Sequence, residues 1–182
     1  MRPTTFESLG LAQVGESSDY PLDAVKDPIK SRYPWFQVES LPPFLNITEA
    51  LDSKRNQYHS TRILTMLEKQ VQSIPMDRLL GITDSDIYIP GMNFVFGEAR
   101  LPGQVALIST YRLKPTDPKK HRLYDDRVVK EAVHELGHTL GLNHCQNDSC
   151  VMHFSESLKD TDMKDSVLCE ACRRALEELR DE

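Results

Sequence analysis

Residues 134–144 read His134-Glu135-Leu136-Gly137-His138-Thr139-Leu140-Gly141-Leu142-Asn143-His144, and this stretch organises the rest of the chain. In a helix, residues four positions apart lie on one face, so His134 and His138 can bind the same ion. Glu135 is rotated by about 100° from His134, which favours a role as general base over one as ligand. Gly141 allows the chain to reverse, and His144 can then serve as a third ligand. Three imidazoles leave a fourth position open, as at a catalytic zinc.

This arrangement predicts hydrolysis of an amide bond. Zinc lowers the pKa of a bound water from about 15.7 towards 7. Glu135 can accept a proton as that water attacks a carbonyl carbon, and can return it to the departing amine. An amidase that acts on a non-peptide substrate fits the same residues. A non-catalytic, zinc-stabilised binding or regulatory module is a further alternative, although such a module would not need Glu135.

The four cysteines form a second group near the carboxyl end of the chain. Their spacing is Cys145-x4-Cys150, eighteen intervening residues, and Cys169-x2-Cys172. The gap and the second pair are typical of a four-cysteine zinc site, whereas the first pair is two residues wider than usual. Four thiolates leave no position for substrate, so this zinc is predicted to be structural. Two disulfides, four buried thiols and a redox switch are the alternatives.

Working outward from residues 134–144, the apolar spacing predicts three helices. The first runs from about Arg55 to Ser73, and the second runs from Asp126 to about Leu140, with Asp125 or Asp126 as its cap. Gly141 is suited to the positive φ that often follows a helix. The third begins at about Ser166. Helix is improbable in the proline-rich segment 21–43, and residues 114–126 and 142–165 are predicted to be loops.

Short β-branched and aromatic runs predict strands between these helices. They lie at residues 8–15, 35–39, 86–89, 93–97 and 104–112, and turn sequences separate the last two, which therefore predict a hairpin. The mixture of strands and helices indicates an α/β or α+β fold.

Length and composition narrow the classes of protein further. The chain has 182 residues, a length that predicts a single catalytic domain spanning residues 1–182. The net charge of −6, without a basic cluster, argues against a nucleic-acid partner, and no apolar run could span a membrane. The first residues lack the apolar stretch of a secretory signal, so a cytoplasmic location with reduced thiols is expected.

Residues 134–144, followed by Cys145-x4-Cys150-x-Met152 and by Cys169-x2-Cys172, resemble the archaemetzincin family of metzincin zinc metallopeptidases. The resemblance implies two zinc ions per chain, a catalytic one at the histidines and a structural one at the cysteines. It also implies a twisted, mixed sheet with one antiparallel edge strand, for which residues 93–99 are the candidate. A peptide could pair with that strand.

The same resemblance assigns further roles. Met152 would form the Met-turn beneath the catalytic zinc, and an upper subdomain, about 1–141, would precede a lower subdomain, about 142–182. Some metzincins place a tyrosine at the position of Phe154, so that extra ligand is missing here. His153 is either a proton donor or oxyanion partner, or an ordinary surface residue.

These observations together predict a cytoplasmic, monomeric zinc metallopeptidase. Glu135 is the predicted catalytic residue. The predicted ligands are His134, His138 and His144 for the catalytic zinc and Cys145, Cys150, Cys169 and Cys172 for the structural zinc. The predicted partner of this peptidase is a peptide or protein substrate.

Overall fold

The computed structural model describes residues 6–16 and 20–181. The strands in this part of the chain are β1 (Glu7–Gln13), β2 (Phe36–Ser40), β3 (Leu51–Asp52), β4 (Gln57–His59), β5 (Arg78–Thr83), β6 (Ile87–Tyr88), β7 (Gly97–Ala99) and β8 (Val105–Ser109). The helices are α1 (Asp23–Arg32), α2 (Ser60–Val71), α3 (His121–Thr139), α4 (Leu158–Met163) and α5 (Glu170–Asp181). None of the helices formed by these residues is both long and apolar enough to cross a membrane.

The larger sheet has five strands in the order β2-β1-β5-β8-β7. β1 is parallel to β2 and to β5, β5 is parallel to β8, and β7 is antiparallel to β8. The predicted α/β (α+β) class and the mixed sheet with one antiparallel edge strand are therefore confirmed. The predicted hairpin is also present, but its first strand spans only Gly97–Ala99. A smaller sheet has the order β3-β4-β6.

Helices cover both faces of the larger sheet, and the sheet separates two apolar clusters. On one face, Leu9 and Leu11 of β1 pack with residues of α1 and α3. On the other face, Leu79 of β5 and Leu107 of β8 pack with α2. Every residue of β8 is buried, as expected for a strand covered on both sides. The helix that carries the histidine motif is thus packed directly on the sheet.

The expectation that the proline-rich segment contains no helix is wrong, because α1 spans Asp23–Arg32 and includes Pro28. A proline inside a helix removes one backbone donor and costs about 3 kcal/mol. Val25 and Ile29 lie one turn apart on this helix and are fully buried in the core. Burying two such side chains contributes about 1.5–3 kcal/mol each, which offsets the cost of the proline.

Two predicted helices have different starting residues in the structure. α2 begins at Ser60 instead of about Arg55, because the residues before it form β4, in which Tyr58 pairs with Ile87 of β6. α3 begins at His121, so neither Asp125 nor Asp126 caps it. Asp126 instead forms an ion pair with Lys130 one turn later, with 2.6 Å between carboxylate and ammonium.

Three further elements differ from the predictions. β5 was not predicted, although Arg78–Thr83 forms a central strand between β1 and β8. The predicted loop 142–165 contains α4, whose first turn is closed by reciprocal hydrogen bonds between Ser157 and Asp160. The last helix begins at Glu170, after the first cysteine of the second pair.

A buried hydroxyl joins α3 to the end of α1. Tyr33 is fully buried, and its hydroxyl donates a hydrogen bond to the backbone carbonyl of Val133 over 2.8 Å. Val133 directly precedes the first histidine of the motif. This hydrogen bond therefore links the end of α1 to α3 at the residue before the histidine motif.

We expect Tyr33→Phe to lower the free energy of unfolding by about 1 kcal/mol, since the substitution removes a buried hydrogen bond and little else. Urea-induced unfolding in the presence of zinc measures the change. Tyr111→Phe is the control, because the ring of Tyr111 is exposed. Equal stability of the two variants would contradict a contribution from the Tyr33 hydroxyl.

Candidate metal centre

The three predicted histidine ligands meet at one point. His134 and His138 occupy successive turns of α3, and their Nε2 atoms are 3.0 Å apart. Gly141 has a φ of +99°, which confirms the predicted reversal after the helix. The reversal returns His144 to the first two rings, with centroid distances of 5.3 Å to His134 and 4.8 Å to His138. One ring nitrogen from each histidine lies within 4.8 Å of the others.

Backbone carbonyls orient the two helical imidazoles. The Nδ1 atom of His134 lies 2.7 Å from the carbonyl oxygen of Val151, and that of His138 lies 2.7 Å from the carbonyl oxygen of Leu142. A carbonyl only accepts hydrogen bonds, so each Nδ1 carries the proton. Each Nε2 is then an unprotonated lone-pair donor that faces the common point, as in metal sites whose histidines are held by outer hydrogen bonds.

The surroundings of the histidines keep them neutral. Burial lowers the pKa of His138 to about 4, and it lowers the pKa of His134 well below its ordinary value. The pKa of His144 is also lowered by burial and by the charge of Lys164. Neutral imidazole is the form that binds a metal ion, so the donor set fits zinc at neutral pH.

Met152 lies beneath the helix that carries the ligands. It is fully buried, and a Cβ atom added to Gly137 would collide with its sulfur atom. Gly137, between the two helical histidines, therefore lets α3 rest directly on Met152. Phe154 contacts His144, with 5.0 Å between ring centroids. His153 instead turns its Nδ1 towards the carbonyl oxygen of Cys145 at 2.9 Å, and it is not among the residues that line the cleft.

Glu135 lines a cleft beside the histidines. The cleft has a volume of about 260 Å³, and its lining includes the apolar side chains of Phe94, Phe96 and Leu101. Glu135 is 5% exposed, and burial, followed by the nearby charge of Glu131, raises the pKa of its carboxyl well above the ordinary value. A carboxyl of raised pKa beside a metal centre is suited to accept a proton and to release it again.

The four cysteines also meet at one point, with their sulfur atoms within 4.8 Å of one another. None of the four is joined in a disulfide. The sulfur atoms of Cys145 and Cys169 are 3.8 Å apart, which matches the spacing of about 3.8 Å that a tetrahedral zinc with bonds of about 2.3 Å imposes. The backbone N–H groups of Asn147 and Cys169 donate to the sulfurs of Cys145 and Cys150.

Several residues of this centre were not predicted from the sequence. The carbonyls of Val151 and Leu142 have no sequence signal, since every residue carries one. The buried pair of Lys164 and Glu131 joins charged residues that are far apart in the chain, so no local pattern indicates it. Gly97 could have been recognised, because an isolated glycine at the end of an apolar run often marks a close approach of another group.

We expect the purified chain to contain about two zinc ions and His138→Ala to contain about one, because each group of ligands is complete by itself. Elemental analysis of zinc per chain measures this. His121→Ala is the matched control, since His121 is exposed at the start of the same helix. If the parent protein contained one zinc ion and His138→Ala retained it, only the cysteine cluster would bind metal.

Known proteins share both the sequence and the fold. Residues 38–178 match the model of Peptidase family M54. The archaemetzincin of Pyrococcus furiosus is 39% identical over 172 residues, which cover 91% of this chain and 90% of that protein. The archaemetzincin of Archaeoglobus fulgidus is 51% identical over 121 residues, which cover 66% of this chain and 69% of that protein.

Solved structures extend the similarity to nearly the whole chain. The crystal structure of archaemetzincin from Methanopyrus kandleri has a TM-score of 0.87 and 35% identity, and it covers 100% of this chain and 99% of that one. The crystal structure of a zinc-dependent peptidase from Methanocorpusculum labreanum has a TM-score of 0.77 and 28% identity, and it covers 92% of this chain and 99% of that one. The chain therefore belongs to peptidase family M54, the archaemetzincins, and is a zinc metallopeptidase.

Proposed function

We propose that the chain hydrolyses peptide bonds in the cleft beside His134, His138 and His144, with these residues as ligands of the catalytic zinc and Glu135 as general base. The convergence of three neutral imidazoles next to a buried carboxyl is the observation that carries this proposal. A zinc ion bound there would polarise the substrate carbonyl and lower the pKa of a water molecule towards 7.

Glu135 handles the proton in this mechanism. Its carboxylate takes a proton from the attacking water and returns it to the nitrogen of the departing amine. Burial in the cleft favours the protonated form, so transfer to the carboxylate is easier than it would be in bulk water. The apolar wall of Phe94, Phe96 and Leu101 limits the access of further water to the reacting groups.

An extended substrate has a place to bind along β7. This strand is the last in its sheet, and among the described strands only β8 pairs with it. A peptide can add to such an edge through backbone hydrogen bonds. Gly97 brings the edge close to the general base, since a Cβ atom there would lie 2.6 Å from Oε1 of Glu135. Substrate backbone and catalytic carboxylate are thus brought together.

The cysteine cluster is proposed to hold a second, structural zinc through Cys145, Cys150, Cys169 and Cys172. Cys145 directly follows the third histidine ligand, so this metal would fix the position of His144. Thiolate ligands require reduced cysteines, which supports a cytoplasmic location. We further propose a monomer in which an upper subdomain of about 1–141 and a lower subdomain of about 142–182 border the cleft.

Replacing the general base tests the mechanism. We expect Glu135→Gln to keep its zinc and to lose about 10²- to 10⁴-fold in kcat/KM, because the amide cannot accept the proton. Cleavage of a peptide library, followed by mass spectrometry, measures the loss. Glu178→Gln, an exposed substitution on α5, serves as the control. Unchanged cleavage by Glu135→Gln at full zinc content would refute the proposed role.

The close contact at Gly97 gives an independent test. We expect Gly97→Ala to lose about 100-fold in kcat/KM at unchanged zinc content, because the added methyl group displaces the carboxyl of Glu135. Ser53→Ala is the control, since Ser53 is exposed in a turn and does not line the cleft. Equal cleavage rates for the two variants, measured well below their melting temperatures, would argue against a role for this contact.

A further inference from the structure

A buried lysine lies behind the metal centre. Lys164 follows α4, and its side chain is 0% exposed, which makes it the least exposed of the described lysines and arginines. Burying an ammonium group removes its hydration, which is costly unless the charge is paired and hydrogen-bonded. The polar partners of this side chain therefore identify the groups that its charge stabilises.

The ammonium group of Lys164 forms polar contacts with one side chain and with one backbone carbonyl. Its Nζ atom lies 3.2 Å from Oε1 of Glu131, whose side chain is 4% exposed, and the same oxygen accepts a hydrogen bond from the Thr161 hydroxyl at 3.3 Å. Nζ also donates to the carbonyl oxygen of His153 at 3.3 Å. The ammonium thus bridges α3 and the segment that follows Met152.

Both groups that Lys164 holds adjoin the reacting residues. Glu131 lies one helical turn before Glu135 on α3 and lines the same cleft. His153 lies two residues after Val151, whose carbonyl oxygen orients His134.

Stability alone does not account for such a pair. The desolvation cost of a buried ion pair often equals or exceeds its Coulombic gain, and apolar residues of similar volume are often as stable. A second ion pair already joins α3 to α4, because the guanidinium of Arg127 binds both carboxylate oxygens of Asp162 at 2.7 Å. That pair does not line the cleft. Glu131 does line the cleft, and Lys164 pairs with it from a fully buried position outside the lining.

We propose that Lys164 is a positioning residue of the peptidase reaction. It holds the carboxylate of Glu131 and the carbonyl of His153, so that α3, which carries His134 and Glu135, keeps its place relative to the segment that follows Val151. This inference rests on the proposed catalytic role of Glu135. Lys164 itself does not touch the reacting atoms. It fixes the distance between α3, which carries the general base, and the segment whose carbonyl orients the first histidine.

Four variants of the zinc-loaded, full-length chain test this inference. Lys164→Met and Glu131→Gln each remove one partner, and the double variant Glu131→Gln/Lys164→Met removes both charges together. Asp162→Asn breaks the neighbouring ion pair, which joins α3 to α4 outside the cleft, and is the matched control. Zinc per chain, melting temperature, kcat and KM are measured on one peptide that the parent protein cleaves.

We expect Lys164→Met to retain about two zinc ions, to keep KM within about twofold and to lose about 100-fold in kcat, because small misplacements of reacting groups have effects of this size. The double variant is expected to lose no more kcat than the Lys164→Met variant, since the two residues act together. Asp162→Asn is expected to keep kcat within about threefold of the parent, even if its melting temperature falls.

Two results would overturn the inference. One is a kcat within about threefold of the parent in Lys164→Met, or in the double variant should the single one not fold. The other is an equal loss of kcat in Asp162→Asn, which would show that any loosening of α4 has the same effect. The proposed function is tested separately, by peptide cleavage in the parent protein and its loss in Glu135→Gln.

Discussion

Two short hydrogen bonds between imidazoles and backbone carbonyls are the interactions on which the metal centre depends. They join His134 to Val151 and His138 to Leu142, each over 2.7 Å. Both carbonyls lie after α3 in the chain, so the helix alone does not orient its own ligands. The histidine side chains acquire a defined tautomer only when the following segment is folded against the helix.

The structure fixes that segment in two ways. Leu142 is held by the left-handed conformation of Gly141 and by a backbone hydrogen bond from its N–H to the carbonyl of Gly137. Val151 lies between Cys150 and Met152, and its N–H donates to the carbonyl of Val167. The N–H of Cys145 in turn donates to the carbonyl of Met152. The cysteine cluster is therefore continuous with the contacts that orient the histidines.

The candidate metal ligands could be identified from the sequence because their spacing follows the geometry of one helix. His134 and His138 share a face by helical periodicity, and Gly141 marks the reversal that His144 needs. The cysteines were likewise predicted as one group from their clustering. Local propensity was less reliable elsewhere. Pro28 disfavours helix, yet the burial of Val25 and Ile29 stabilises α1. No sequence pattern predicted β5, although its six residues form a central strand.

The sequence by itself determined the candidate donor atoms, their clustering in two groups and the α/β (α+β) class, because these follow from residue type and short-range spacing. Only the tertiary structure decided which groups surround the donors. Gly97 against Glu135, and Lys164 against Glu131, join residues 38 and 33 positions apart. Such contacts depend on how helices and strands pack, and packing is set by the burial of the whole core rather than by any local pattern of residues.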